Sequence, residues 1–61
     1  MWIICENGNM VNLDHVINIT KDKGGTVCCD STGEEIQLSK MDVRPTIAVA
    51  LNSGYVTLEV R

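Results

Sequence analysis

The chain has 61 residues, of which 44% are apolar and only Trp2 and Tyr55 are aromatic, so we expect one small domain (residues 1–61) with an aliphatic core. Eight Asp and Glu against five Lys and Arg would repel a phosphate backbone, which argues against a nucleic-acid polymer as partner. No apolar run approaches the ~18 residues of a membrane helix. The N-terminal segment also lacks the basic start and extended apolar centre of a secretory signal peptide. We therefore expect a cytoplasmic protein without membrane contact.

The N-terminal segment predicts a β-hairpin. Asn7-Gly8 lies between apolar runs, and this dipeptide favours a type I′ turn because both central positions need a positive φ. Residues 2–5 and 10–13 are therefore predicted to pair. Alternation then continues through residues 11–20, apart from Val16 and a bend at Asp14. The side chains predicted to share the inner face are Val11, Leu13, His15, Ile17 and Ile19.

Two further turn signals follow, at residues 21–25 and 31–34, where Gly, Ser, Thr and Asp are concentrated. The apolar stretches around them predict strands at residues 26–30 and 35–39. Together with the first hairpin, these strands predict a meander.

Residues 43–52 have two interpretations. A helix is favoured by Asp42 as N-cap, by Pro45 in the first turn and by Gly54 as a left-handed cap. Its apolar stripe would comprise Val43, Ile47, Ala50 and Leu51. The alternative is a hairpin turning at residues 52–54. Under either interpretation residues 55–60 form a strand whose inward side chains are Val56, Leu58 and Val60.

The predicted fold class is α+β, with a small antiparallel β-meander of four or five strands and one C-terminal helix packed on it. The hairpin interpretation of residues 43–52 leads instead to an all-β, SH3-like barrel.

The adjacent thiols Cys28 and Cys29 raise the question of a metal site. Successive side chains of a strand point to opposite faces, and zinc motifs separate their cysteines by at least two residues. The pair is therefore a poor chelate. Alternation places Cys29 with Val27 on the inner face, and Cys28 on the polar face as the most exposed thiol.

Cys5 and His15 are expected to face inward with Cys29. Free cysteine packs as a small hydrophobic residue, and the odd number of cysteines, three, fits a reducing compartment. We therefore predict core packing, with no catalytic residue, no metal and no cofactor. The alternative is a thiol or metal-dependent enzyme built on these three residues.

Most of the positive charge is carried by Lys21, Lys23, Lys40 and Arg44. If the fold brings these side chains together, they are the candidate binding site for a small anionic ligand.

The stretches MWI (residues 1–3) and ENGNMVNLDHVINI (6–19) resemble the start of small proteins from Gram-positive bacteria and their phages. GEEIQL (33–38) and ALNSGYVTLEV (50–60) resemble later parts of the same proteins. The resemblance implies a small β-sheet with one covering helix in a bacterial or phage setting, and it implies no activity.

The functional expectation is a non-enzymatic binding protein that acts as a homo-oligomer, because a chain this short has a marginal core and Trp2 can anchor an interface. The alternative is a phage accessory (counter-defence) protein that sequesters a small anionic ligand such as a signalling nucleotide. A host protein is a further candidate partner.

Overall fold

The computed structural model covers residues 1–61 and contains six strands, a 3₁₀ turn and one α-helix. Strands β1 and β2 precede the 3₁₀ turn, β3 to β5 follow it, and helix α1 lies between β5 and β6. Their bounds are β1 (Trp2–Ile4), β2 (Met10–Asn12), the 3₁₀ turn (Leu13–His15), β3 (Val16–Asp22), β4 (Gly25–Asp30), β5 (Glu35–Ser39), α1 (Arg44–Asn52) and β6 (Thr57–Glu59).

The strands form two three-stranded sheets. The first has the order β2-β1-β6, in which β1 is antiparallel to β2 and parallel to β6. The second has the order β3-β4-β5 and is antiparallel throughout. The predicted α+β class with one C-terminal helix is confirmed. The sheets do not close into a barrel, and residues 44–52 are helical, so the all-β alternative is wrong.

The 3₁₀ turn divides what the sequence predicts as one meander. The Asn12 side chain accepts a hydrogen bond from the Asp14 N–H at 3.0 Å, which stabilises the turn. The chain leaves it in a new direction, so β3 pairs with β4 and not with β1. The predicted bend at Asp14 is present, and it separates the two sheets.

The first hairpin forms as predicted, with Ile3 opposite Val11. Its turn differs from the type I′ prediction. The Gly8 N–H donates to the Cys5 carbonyl at 2.9 Å, and the Cys5 N–H donates to the Asn9 carbonyl at 2.7 Å. Only Gly8, with φ +91°, has a positive φ here. Residues 6–8 thus form a three-residue loop whose last residue, Gly8, is left-handed. This geometry is that of a type I turn followed by a glycine bulge.

The predicted inner face of residues 11–19 is correct at Val11, Leu13 and Ile19 but wrong at His15 and Ile17. The pairing of β3 with β4 shifts between Val16 and Asn18, which leaves Ile17 as the extra, bulged residue. Ile17 is therefore 68% exposed, whereas Val16 and Ile19 pack against the core. His15 is exposed at the end of the 3₁₀ turn.

The prediction for β4 is wrong for Thr26 and for both thiols, whereas Val27 is buried as predicted. Cys28 is 1% exposed and lies in the core, whereas Cys29 is only partly buried. Thr26, predicted on the polar face, is fully buried. Alternation itself holds, because the two thiols lie on opposite sides of the strand. Because Thr26, Val27 and Cys28 are all buried, both faces of this part of β4 are covered.

Helix α1 begins one residue later than an Asp42 cap would place it, after Val43. Asp42 still accepts a hydrogen bond from the Arg44 N–H at 3.2 Å. At the C-terminal end, Gly54 has φ +75°, as predicted. The Tyr55 N–H donates to the Ala50 carbonyl and the Gly54 N–H to the Leu51 carbonyl, which is the Schellman pattern that ends helices at glycine.

The core lies between the two sheets and the helix. Its buried residues are Ile3, Cys5, Cys28, Leu38, Ile47, Ala50 and Leu58. Val43 and Val60 pack against it as predicted. Leu51 and Val56 do not, since both are exposed; Leu51 lies on the outer side of α1, and Val56 precedes the start of β6.

Candidate functional site

The four predicted cationic residues are all exposed. Lys21 lies in β3 opposite Thr26, Lys23 is in the β3–β4 turn, Lys40 directly follows β5, and Arg44 is the first residue of α1. Arg44 is engaged by Asp42, with Nε–Oδ1 and Nη2–Oδ2 distances both 2.9 Å. Lys21, Lys23 and Lys40 form no ion pair. Anion binding by this set stays a prediction.

The Asp42–Arg44 pair has a measurable signature. The hydrogen bonds from the Arg44 side chain, then the Arg44 N–H and nearby cationic groups including Lys21, lower the pKa of Asp42 to about 2. Arg44→Gln is expected to return this pKa toward the usual value for Asp. Lys21→Gln should have a smaller effect, because Lys21 makes the smallest contribution to the lowering of the Asp42 pKa. Carboxyl-carbon NMR titration checks both.

The low pKa of Asp42 makes the stability of the folded protein depend on pH. Because the pKa is lower in the folded state, the stabilisation by Asp42 is present above the unfolded value of about 3.9 and is lost as the pH falls toward 2. If the titration midpoint of Asp42 were the same in wild type and Arg44→Gln, the ion pair would not exist in solution.

The thiols and His15 are distributed over different environments. Cys5 and Cys28 are buried in the core, whereas His15 is exposed. The Cys29 Sγ is 3.7 Å from the Asp30 carbonyl oxygen. No three His, Cys, Asp or Glu side chains are grouped so that they could hold a metal ion. The prediction that Cys28 is the most exposed thiol is wrong, since Cys29 holds that position.

Alkylation should distinguish the three thiols. Burial raises the pKa of the Cys5 thiol, and burial followed by the proximity of Cys5 raises the pKa of Cys28. Because the thiolate is the reactive form, iodoacetamide is expected to modify Cys29 first. Cys5 and Cys28 should react only on unfolding, which peptide mass spectrometry in the presence and absence of urea can measure. Equal rates at all three sites in the native protein would contradict the burial of Cys5 and Cys28.

A polar contact that the sequence does not reveal joins the two sheets. The Glu6 carboxylate Oε2 accepts from the Lys40 N–H at 2.6 Å and from the Ser39 Oγ at 3.3 Å. The Glu6 N–H donates to the Leu38 carbonyl at 2.9 Å. This contact ties the first hairpin to the end of β5. Beside it is a cleft of about 310 Å³, which Asn7 and Gln37 also line.

The outer surface of the first sheet carries adjacent apolar side chains. Because Ile3 points into the core, its neighbours Trp2 and Ile4 point outward, and Met10 lies opposite Ile4. Trp2 is 43% exposed and Met10 57%. The Trp2 N–H donates to the carbonyl of Val56, whose side chain is 77% exposed. We call Trp2, Ile4 and Met10 the tryptophan face.

The tryptophan face has little net charge. Its only ionisable neighbour on the outer side of β1, β2 and β6 is Glu59, which forms an ion pair with Arg61. This neutrality contrasts with the net charge of −3 of the whole chain.

The fold and this surface together define a small α+β domain of two three-stranded sheets and one helix, with an exposed apolar area on the first sheet. Its single helix is too short to cross a membrane. Comparison with protein-family models, with curated proteins and with solved structures finds no match to this chain.

Proposed function

We propose that this protein is a non-enzymatic binding protein that acts as a homo-oligomer through the tryptophan face. The observation that carries the proposal is the partly exposed Trp2, flanked by Ile4 and Met10 on one sheet surface. Large aromatic residues surrounded by apolar neighbours dominate the binding energy of many protein interfaces. Contiguous apolar area on a small protein is typically covered by a partner.

The small core supports the same proposal. Only 11 of the 61 residues are buried, and domains of this size are close to the limit at which a single core suffices. Self-association would bury further apolar area and add stability.

The charge distribution allows a second copy to bind at the tryptophan face. Two acidic chains repel one another over most of their surfaces. The tryptophan face avoids that repulsion because Arg61 neutralises Glu59.

Sedimentation equilibrium tests this proposal. Wild-type protein should exceed the monomer mass of 6.7 kDa at micromolar concentrations. Trp2→Lys and Met10→Lys should each shift it to the monomer, because each buries a charge in the contact. Ile17→Lys is the matched control, since Ile17 is as exposed but lies on the second sheet. A monomeric wild type, or equal effects of all three variants, would refute the proposal.

The alternative proposal is sequestration of a small anionic ligand, such as a signalling nucleotide, by Lys21, Lys23, Lys40 and Arg44. It is supported by the three lysines that have no ion-pair partner. Arg44 supports it less, because Asp42 already neutralises its charge. Titration with a cyclic dinucleotide should shift the amide signals of residues 21–23, 40 and 44. Unchanged signals would remove the alternative.

For the setting of either function we propose the cytoplasm of a bacterium, with a phage as the source of the gene. The support is the resemblance of MWI and ENGNMVNLDHVINI to the start of small phage and Gram-positive proteins. A gene neighbourhood without phage genes would argue against that source.

A further inference from the structure

Two strand edges face each other across an open groove. Neither β2 nor β5 pairs with another strand along its outer edge, since both are terminal in their sheets. The groove between them has a volume of about 470 Å³. Its lining residues are Asn7, Asn9, Met10, Val11, Glu34, Glu35, Ile36 and Gln37.

The hydrogen bonds show which backbone groups of β2 point into the groove. The Asn9 carbonyl accepts from the Cys5 N–H, and the Leu13 N–H donates to the Met1 carbonyl, so the odd-numbered residues face β1. In an antiparallel pair, alternate residues turn their N–H and C=O away from the partner strand. Met10 and Asn12 therefore direct these groups outward.

The backbone groups of β5 alternate in the same way. The Asp30 N–H donates to the Glu34 carbonyl, and Ile36 lies opposite Cys28 two residues further on, so Glu34 and Ile36 face β4. Glu35 and Gln37 therefore direct their backbone N–H and C=O groups toward the groove. An extended chain placed there would meet a strand edge on each side.

The floor of the groove is apolar and its rim is acidic. Val11 and Ile36 are half-buried and pack against the core from the two sides. Glu34 and Glu35 are exposed and form no ion pair. Pairing of two copies along β5 would bring these carboxylates together, which is unfavourable. The charge thus favours a cationic occupant over a second copy.

We propose that the groove between β2 and β5 binds an extended peptide segment with alternating basic and apolar residues. The segment adds a strand between the two sheets, with backbone hydrogen bonds to Met10 and Asn12 on one side and to Glu35 and Gln37 on the other. Its apolar side chains contact Val11 and Ile36 on the inner side, and its alternate Lys or Arg side chains pair with Glu35 on the outer side. A basic residue at the end of the segment pairs with Glu34, which precedes β5. The groove adjoins the tryptophan face at Met10, which lines both. Its acidic side, from Glu34 to Gln37, lies at β5 of the second sheet and does not depend on self-association.

The probe for the test is the synthetic peptide acetyl-KVKVKVK-amide, added to isotope-labelled protein in NMR titrations. Binding should shift the amide signals of Met10, Asn12, Glu35 and Gln37 and slow their hydrogen exchange. The peptide acetyl-KVKPKVK-amide has the same charge but lacks one N–H and resists the extended ladder. It should bind at least about tenfold more weakly. The peptide acetyl-EVEVEVE-amide should not bind.

Variants of the protein test the contribution of the two carboxylates to peptide binding. The double variant Glu34→Lys and Glu35→Lys should weaken binding of the basic peptide by about tenfold, because two exposed ion pairs are lost. The double variant Asp14→Lys and Glu59→Lys makes the same change of net charge at exposed positions that do not line the groove, and it should leave binding unchanged.

Three results would overturn the proposal. The first is the absence of shifts at the four named amides at millimolar peptide. The second is equal binding of the proline-containing peptide, which would show attraction by charge alone. The third is a shift of the Glu35 and Gln37 amide signals when the protein alone is concentrated, which would identify a second copy as the occupant. Self-association through the tryptophan face would instead shift the signal of Met10 and leave these two unchanged.

Discussion

Gly25→Ala is expected to prevent folding. A Cβ at this position would lie 2.6 Å from the Lys40 carbonyl carbon and 2.7 Å from the Lys40 Cα, and closer still to the Ser39 carbonyl oxygen. All three are backbone atoms, so β4 and the end of β5 would have to separate. Gly25 also has φ +123°, where side chains are strained.

The expected loss exceeds the whole stability of the domain, which for this chain length is about 3–9 kcal/mol. Far-ultraviolet circular dichroism and urea denaturation measure it. Gly33→Ala is the matched control, because Gly33 has φ +88° but no atom within 4 Å of its added Cβ. It should cost only about 1 kcal/mol. A Gly25→Ala protein as stable as Gly33→Ala would show that β4 and β5 are not packed as described.

Thr26→Val is expected to destabilise the protein by about 2–4 kcal/mol. The buried Thr26 hydroxyl donates to the Met41 carbonyl at 2.6 Å and accepts from the Val43 N–H at 2.9 Å. This hydroxyl therefore fixes the loop that leads into α1. Valine has the same shape but leaves both backbone groups without this partner.

Thr26→Ser is the control for the Thr26 prediction. It retains the hydroxyl and loses one methyl group, so the expected cost is about 1 kcal/mol. Urea denaturation gives both values, and hydrogen exchange at the Val43 amide should accelerate in Thr26→Val only. Equal stability of the two variants would contradict a structural role for the hydroxyl.

Local signals in the sequence identify several elements correctly. Asn7-Gly8 marks the first hairpin and Gly54 marks the end of α1, because a residue with positive φ is needed at each place and glycine meets that need at little cost. Pro45 fits the first turn of α1, where its missing N–H is harmless. These features depend on a few adjacent residues, so they can be read without knowledge of the tertiary structure.

Local signals could not predict which side chains of β3 and β4 face the core. The bulge at Ile17 places both Val16 and Ile19 on the core side, although simple alternation would put them on opposite faces of β3. The 3₁₀ turn before β3 adds a second change of direction. In β4 the successive residues Thr26, Val27 and Cys28 are all buried, so alternation alone could not tell which thiol lies in the interior.

The long-range contacts could not be predicted from the sequence either. Glu6 and Lys40 are separated by 34 positions, and the parallel pairing of β1 with β6 joins the two ends of the chain. Neither has a local signature. Of the candidate sites, Trp2 was identified from its residue type, whereas the groove between β2 and β5 follows only from the strand order.

The concentration dependence of the fluorescence of Trp2 tests the proposed self-association most directly, because it is the only tryptophan. Its side chain is partly exposed in the single chain and would become covered when two copies meet. We predict emission that moves to shorter wavelength as the protein is concentrated through the micromolar range, and no such movement in Met10→Lys. Emission that stays at the wavelength of a solvated indole at every concentration would contradict the account.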